Sequence, residues 1–340
     1  MALAGRLSGP EFHRYADPAT ELDVTRLTDP VFSSGMTAPH LRQFGRRTDT
    51  LLYWSDRFGP ARQAFQLDLR SGESHQLTDV PALDCASLAL SADEKSFYYF
   101  DGASLFESPL NSLRARERYR VAAGRRRSGL TVAADGSLLF AEDDRIVRVT
   151  RNSGATVLQA EGKVEHVAVR PRHPQVLYRT AAGLSVANLD GSGRQRLPLE
   201  AGRTGEAVWA QSGNTLLYLH VPEDARELIT LREYDPASGT DALISKTTQF
   251  ESVAGNANAS VFVGASRSVA SAYVLLLLRV TKRELTLCEH RASDPRMVQP
   301  VFSPDSQSVF FTSDRHGRQA IYRMRVEKFV ESTEQQQQKL

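Results

Sequence analysis

Residues 301–322 have the sequence VFSPDSQSVFFTSDRHGRQAIY, and residues 44–69 have the related sequence FGRRTDTLLYWSDRFGPARQAFQLDL. Both begin with an apolar residue and a polar turn, continue as an apolar strand, and pass through Ser-Asp-Arg-x-Gly into a second strand. Asp bonds nearby backbone N–H groups and Gly tolerates positive φ, so turn formation accounts for both residue types. Self-similarity of this kind is typical of repeat architectures. The two stretches therefore predict a repeated β unit in which the SDRxG box is structural.

Short apolar strands separated by Gly, Asp, Ser and Asn turns recur along the chain with a period of about 40 residues, as expected for four-stranded propeller blades. The predicted blades cover residues 39–79, 83–121, 127–161, 163–200, 204–247, 249–290 and a last blade that begins near 298. That last blade lacks an outer strand, and residues 23–29 (DVTRLTD) match the QLTD ending of the first blade. Because ring closure removes exposed sheet edges, we predict an all-β, seven-bladed β-propeller closed by its N-terminal strand. The predicted segments are an N-terminal arm (1–22), the propeller (23–330) and a disordered tail (331–340).

The bulk composition argues against several classes of partner. A net charge of +2 is too balanced to indicate nucleic acid or a membrane surface. The two cysteines lie far apart, which excludes a disulfide framework or a zinc site of the usual spacing. The N-terminus has no convincing signal peptide, and the longest apolar run, Val274–Leu278, is too short to cross a bilayer. We therefore expect a cytoplasmic protein with neither a nucleic-acid nor a membrane partner.

The blade sequences resemble the TolB-type propeller repeat, and over residues 13–79 and 163–240 they resemble the oligogalacturonate lyase family. The matching sequence segments include LDLRSGESHQLT, HPQVLY, LDGSGRQRLPL, YDPASG and the last one, FSPDSQSVFFTSDRHGRQAIY. The resemblance implies a seven-bladed propeller that cleaves uronate chains by β-elimination. It also implies a divalent, manganese-like metal, held by His side chains and a Gln at the propeller centre, which neutralises the substrate carboxylate.

The chain departs from that family where the metal ligands are expected. The family's His-x-His-Pro aligns with Met297–Pro300 (MVQP), its His-Glu-Phe-Trp with Glu206–Trp209 (EAVW), and its sixth-blade His with a stretch that has none, residues 247–260. The His-Glu-Gly-Pro-Trp loop is shortened to Arg179–Gly183, and Cys-His-Arg-Asn aligns with Ser34–Thr37. We therefore expect no cofactor and no metal. A manganese-like ion is expected only if the family site is retained in altered form, with Glu206 and Gln299 as ligands.

The remaining candidates are polar residues near the start of each predicted inner strand, where the blades converge. The proposed ligand-binding set at this central mouth is His40, Arg42, Arg179, Glu206, Trp209 and Gln299. The carboxyl, amide and imidazole groups expected at the inner-strand starts suit a bound cation or a hydrated polar channel; they belong to His40, Asp84, Glu165, Glu206, Glu251 and Gln299. An acidic sugar could instead be held by bidentate contacts from Arg42, Arg126, Arg170 and Arg179. The sequence leaves these alternatives open, and it contains no nucleophile elbow, P-loop or dinucleotide fingerprint.

Two functions follow from these observations. The missing histidines favour a degenerate, non-catalytic module that binds a saccharide, a protein or a peptide at the mouth. The full-length resemblance keeps open a lyase that acts by β-elimination on acidic, galacturonate-type oligosaccharides with an altered site.

Overall fold

The computed structural model describes residues 5–330 except 152, 225, 247 and 248. The described residues form short antiparallel strands, three single 3₁₀ turns at Cys85–Ser87, Val269–Ser271 and Pro295–Met297, and a helical turn at 327–330. Before the first blade come β1 (Leu7–Ser8), β2 (His13–Ala16) and β3 (Asp23–Arg26). The predicted tail, 331–340, lies outside the described residues.

Seven sheets follow one another along the chain. Blade 1 contains β4 (Ser34–Met36), β5 (Thr50–Ser55), β6 (Gln63–Asp68) and β7 (Ser74–Gln76). Blade 2 contains β8 (Ala89–Leu90), β9 (Ser96–Asp101), β10 (Ser104–Pro109) and β11 (Arg116–Arg120). Blade 3 contains β12 (Arg127–Val132), β13 (Leu138–Glu142), β14 (Arg145–Val149) and β15 (Gly154–Gln159). Blade 4 contains β16 (His166–Val169), β17 (Gln175–Thr180), β18 (Gly183–Asn188) and β19 (Gln195–Arg196).

The remaining blades repeat the pattern. Blade 5 contains β20 (Arg203–Trp209), β21 (Leu216–Val221), β22 (Thr230–Asp235) and β23 (Thr240–Lys246). Blade 6 contains β24 (Phe250–Gly255), β25 (Val261–Ser266), β26 (Tyr273–Leu278) and β27 (Arg283–Glu289). Blade 7 contains β28 (Val301–Phe302), β29 (Ser308–Ser313) and β30 (Ala320–Arg325). The first strands of several neighbouring blades contact one another, so they form the inner wall of the ring.

The N-terminal segment completes the last blade. β3 pairs antiparallel with β30, with Thr25 opposite Arg323 and Arg26 opposite Tyr322, and β2 pairs with β3. Farther upstream, β1 pairs with β7 of blade 1. The predicted seven-bladed propeller with ring closure by the N-terminal strand is confirmed. The start of blade 1 was predicted too late: its inner strand begins at Ser34, five residues before 39.

The two SDRxG boxes have the same structural role at two places in the ring. Asp56 accepts a hydrogen bond from the N–H of Ser33 at 2.8 Å, and Asp314 accepts one from the N–H of Ser293 at 2.9 Å. Each carboxylate thus ties the box to the segment that enters the inner strand of the same blade. The predicted turn is formed by the backbone of each box, where the N–H of Gly59 donates to the carbonyl of Asp56 at 3.2 Å and the N–H of Gly317 donates to that of Asp314 at 3.0 Å.

The arginines of these boxes hold the N-terminal arm. Arg57 forms a 2.5 Å ion pair with Glu11, and its side chain is 1% exposed. Arg315 pairs with Asp17 at 3.3 Å, where the two side chains are 4% and 0% exposed. Both acidic partners precede β3, so one box anchors the arm to blade 1 and the other anchors it to blade 7.

Apolar side chains fill the space between each pair of neighbouring blades. The cluster between blades 1 and 2 includes Leu52 and Phe97, and the cluster between blades 5 and 6 includes Leu219 and Phe262. The cluster between blades 7 and 1 contains Phe310, which lies on the second strand of the last blade. Both faces of a blade are therefore buried, as continuous apolar runs such as Leu51–Trp54 and Phe97–Phe100 predict. In the described ranges, no helix is long and apolar enough to cross a membrane.

Candidate functional site

The inner strands of five blades meet at a cavity of about 480 Å³, here called the mouth cavity. Its lining comes from blades 1, 2, 4, 5 and 7 and includes His40, His166, Arg179, Glu206, Met297 and Gln299. These residues are up to 259 positions apart in the chain (40 to 299), and the ring brings them together.

A β-bulge in the inner strand of blade 5 shapes one side of the mouth cavity. In β20 the strand register shifts between Thr204 and Ala207, and Arg179 of blade 4 donates hydrogen bonds to the carbonyls of Thr204 at 2.7 Å and Gly205 at 2.6 Å. Bulges commonly redirect side chains beside functional sites, and here the bulge joins β20 of blade 5 to β17 of blade 4 through Arg179. A second bulge, in β24 between Phe250 and Ser252, lies beside a neighbouring cavity.

Glu206 lies within the first bulge and points across to blade 6. Its Oε2 accepts a hydrogen bond from the N–H of Val253 at 2.8 Å. Burial raises the pKa of Glu206 to about 7, and the negative charge of Glu251 adds to the rise, while the Val253 hydrogen bond and Arg179 oppose it. A carboxyl group with such a pKa exchanges a proton near neutral pH.

A pair of histidines lies across the mouth cavity. His40 and His166 make an edge-to-face contact with ring centroids 5.1 Å apart, and His40 Nε2 donates to the carbonyl of Leu130 at 3.0 Å. Burial, together with the nearby His40 and Arg179, lowers the pKa of His166 to about 3. Burial also lowers the pKa of His40. Both rings are therefore neutral at pH 7.

Blades 1, 2 and 7 contribute apolar side chains such as Trp54 and Met297 to the wall, together with polar ones such as Gln299. Gly35 of β4 packs under Trp54, where an added Cβ would lie 2.6 Å from the ring. Burial raises the pKa of the Cys85 thiol to about 11, so it is a neutral lining group. Gln299 adopts φ +35°, a left-handed conformation that is strained for a residue with a side chain.

A second cavity of about 400 Å³, here called the arginine cavity, adjoins the first. The two share Arg179, Glu206, Arg296 and Gln299. The arginine cavity is also lined by Arg203, Glu251 and Arg267, so four of its lining side chains are guanidinium groups. Arg267 faces Glu251 at 3.4 Å, and the largely exposed Arg296 pairs with Asp294 at 2.8 Å.

The structure brings together four of the six residues proposed from sequence: His40, Arg179, Glu206 and Gln299. Arg42 lies elsewhere, in an ion pair with Glu94 and with a hydrogen bond to the carbonyl of Ala92 at 3.0 Å. Trp209 lies outside the lining as well and stacks under Arg170, whose guanidinium carbon is 5.0 Å from the ring centroid.

Sequence reasoning missed three residues of the site: His166, Arg203 and Arg296. For His166 the available signal is its position as the first residue of β16, the inner strand of blade 4, one residue after Glu165. Side chains point to alternate sides along a strand. A predicted strand start that is wrong by one residue therefore assigns the mouth position to the neighbouring residue.

The residues at the mouth do not fit a resident transition metal. Within the part of the chain that the structure describes, no group of three or more His, Cys, Asp and Glu side chains is placed to hold an ion. Two imidazoles reach the cavity, but His40 Nε2 is bonded to a backbone carbonyl. Convergence of several ligands on one point is what such a site requires.

No family model matches the chain. It is 22% identical to the oligogalacturonide lyase of Pectobacterium atrosepticum, with 93% of this chain and 96% of that protein covered. It is 24% identical to the oligogalacturonate lyase of Dickeya dadantii, with 96% and 98% covered.

Solved structures of oligogalacturonate lyases have the same fold as this chain. An oligogalacturonate lyase in complex with manganese superposes with a TM-score of 0.89 at 21% identity, covering 96% of this chain and 98% of that one. The oligogalacturonate lyase of Vibrio parahaemolyticus superposes with a TM-score of 0.87 at 20% identity, covering 95% and 98%. The similarity thus extends over nearly the full length of both partners.

Proposed function

We propose that this chain, an oligogalacturonate lyase homologue in sequence and fold, binds an acidic, galacturonate-type oligosaccharide at its central mouth and cleaves it by β-elimination. The reaction removes the proton beside the sugar carboxylate, breaks the bond to the neighbouring glycosidic oxygen and leaves a carbon–carbon double bond. It needs a base near the carboxylate and a positive charge that stabilises the carbanion-like transition state.

The observation that carries the proposal is the position of Glu206. Its carboxyl group lies in the mouth cavity, and its pKa of about 7 suits proton abstraction near neutral pH. Arg179, held rigidly by two backbone carbonyls, lines the same cavity. A carboxyl group and a fixed guanidinium in one cavity are the two charges that an elimination from a uronate uses.

The direct test follows the new double bond by ultraviolet absorbance after addition of oligogalacturonates. We expect activity to rise as pH increases through about 7, because Glu206 acts in its deprotonated form. Glu206→Gln retains the acceptor for Val253 and loses the base, so we expect the rate to fall by about 10²–10⁴-fold.

Glu161→Gln, a change at an exposed glutamate of the third blade, is the matched control and leaves the rate unchanged. Absence of the absorbance signal between pH 5 and 9, with and without added manganese, would exclude the lyase function.

A second candidate is a non-catalytic binding module for the same acidic saccharide, or for an acidic peptide. The departures at Met297, Gln299 and Glu206 from the family's histidines favour it, as does the missing three-ligand group among the described residues. Calorimetry separates the two functions: binding of trigalacturonate without an absorbance change, and with equal affinity in Glu206→Gln, supports the module.

A further inference from the structure

The arginine cavity is lined by four guanidinium groups, and one of them has no acidic partner. Arg267 is paired with Glu251 and Arg296 with Asp294. Arg179 donates to two backbone carbonyls, and the carboxylates of Glu165 and Glu206 act favourably on its charge while Arg203 acts against it. Arg203 is exposed and makes no ion pair with another described residue. Its guanidinium group is therefore free to bind an anion that enters the cavity beside Arg179.

We propose that Arg179 and Arg203 together bind and neutralise the carboxylate of the reacting uronate, so that the elimination runs without a metal ion. This inference rests on the proposed function and names the groups that carry its charge. It differs from what the family resemblance implies, in which a divalent metal supplies the charge. The guanidinium group suits the task, because it is permanently charged and binds a carboxylate through two parallel hydrogen bonds.

The arrangement of the two cavities supports this assignment. Arg179 and Glu206 belong to both linings, and Arg203 lies in the arginine cavity beside them. A uronate carboxylate in the arginine cavity therefore places the adjacent C–H group toward Glu206 at the shared wall. The bulge in β20 carries both Glu206 and the carbonyls that hold Arg179, so the base and the first cation are fixed by one local structure.

The atoms and electrons of the step balance without a further cofactor. The Glu206 carboxylate takes the proton from the carbon that bears the uronate carboxylate, and that electron pair forms the new carbon–carbon double bond. The bond to the glycosidic oxygen breaks with its electrons, and water protonates the departing oxygen. Arg179 and Arg203 stabilise the charge that builds up on the carboxylate.

The first test measures the affinity of trigalacturonate by titration calorimetry, using protein dialysed against EDTA and the same protein with added manganese chloride. We expect dissociation constants that agree within about twofold, because the arginines supply the positive charge. A loss of tenfold or more in EDTA that manganese restores would overturn the proposal.

The second test changes Arg203, because replacing Arg179 would also break its link between blades 4 and 5. We expect Arg203→Ala to weaken trigalacturonate binding about 10–100-fold, the range of one charge-assisted contact. Arg203→Lys keeps the charge but not the two-pronged geometry and should recover part of the loss. Arg283→Ala, an exposed arginine on the outer strand of blade 6, is the matched control and should bind like the parent.

The outcomes separate this inference from the function on which it rests. Binding that requires manganese, or an Arg203→Ala variant with unchanged affinity, refutes the metal-free arginine site and leaves the saccharide function standing. Failure of trigalacturonate to bind in every condition refutes both. Elimination that is unaffected by EDTA but slowed in Arg203→Ala, with a raised KM and a lowered kcat, supports both.

Discussion

At the scale of single residues, the site is defined by groups whose charge depends on their burial. Glu206 is driven toward its neutral form, whereas His40 and His166 are held neutral by the same loss of water. Arg179 loses solvation as well, and burial lowers its pKa, yet a guanidinium group remains charged at any ordinary pH. The mouth therefore combines permanent positive charge with one carboxyl group that titrates near neutrality.

Glu206 predicts a measurable pH dependence of stability. Its pKa rises from an ordinary 4.5 to about 7 on folding, so the folded state holds the proton more tightly and the stability of the protein falls as pH increases across that window. Glu206→Gln does not titrate. As the pH rises from 5 to 8, the free energy of unfolding of the parent should therefore fall by about 2–3 kcal/mol relative to that of Glu206→Gln, at about 1.4 kcal/mol per pKa unit.

Urea denaturation of both proteins at several pH values measures this difference. Glu161→Gln serves again as the control, with a difference from the parent that stays constant with pH. A constant difference for Glu206→Gln would show that its carboxyl group titrates normally.

At the scale of elements, the repeated SDRxG box performs a task that its sequence alone does not reveal. Its Asp anchors a turn, and its Arg reaches outward to an acidic residue of the N-terminal arm in both copies, Glu11 for Arg57 and Asp17 for Arg315. The boxes lie in blades 1 and 7, which are the two blades that the arm joins. The two turn motifs thus also hold the N-terminal arm at the seam, the place where blades 7 and 1 close the ring.

The Asp17–Arg315 pair is the better test of this seam, because both side chains are almost completely buried. Asp17→Asn leaves a buried guanidinium without its carboxylate, and we expect a loss of about 3–5 kcal/mol in the free energy of unfolding. Arg315→Met should cost a similar amount. In the double variant neither charge remains, so its loss should be smaller than the sum of the two single losses.

Chemical denaturation of the four proteins of this cycle gives the coupling energy. Arg14→Met, which removes an exposed ion pair with Asp23 on the same arm, is the control and should change stability by less than about 1 kcal/mol. Simple additivity of the Asp17 and Arg315 losses would contradict a role for their pairing.

At the scale of the whole molecule, the last blade depends on the N-terminal segment. Neighbouring blades pack through separate apolar clusters, but the two outer strands of blade 7 are β3 and β2, which come from that segment. Without them, β30 presents an unpaired edge, which favours association with other chains.

A chain without residues 1–29 should therefore unfold at a lower temperature and associate. Size-exclusion chromatography and thermal unfolding measure both effects. Removal of residues 331–340, the predicted disordered tail, is the comparison and should leave both properties unchanged. A truncated chain that stays monomeric, with an unaltered melting temperature, would refute closure by the N-terminal strand.

Much of the fold could be predicted, because each blade contains the residues that define its own turns and strands. The turn residues and short apolar runs recur in every blade, and the match between residues 23–29 and 76–79 identified the closing strand. The start of blade 1 escaped prediction because Ser34–Met36 is a short strand with a glycine at its centre. The cytoplasmic location and the absence of nucleic-acid and membrane partners stay predictions.

The site was predicted in part. His40, Arg179, Glu206 and Gln299 were chosen for their polarity near strand starts, and they meet at the mouth. Arg42 and Trp209 satisfied the same criterion but lie in local contacts with Glu94 and Arg170. Polarity near a strand start does not specify which way a side chain points.

The sequence by itself determined the blade repeat, the ring and its closure, because turns and alternating strands depend on residues close together in the chain. Only the tertiary structure decided which side chains face the axis. Two bulges, in β20 and β24, set the directions of Glu206 and of the groups that contact it, and the ring placed His40 against His166 and Arg179 near Arg203. The physical reason is that a bulge and a cross-blade contact depend on partner strands, whose positions no single stretch of sequence contains.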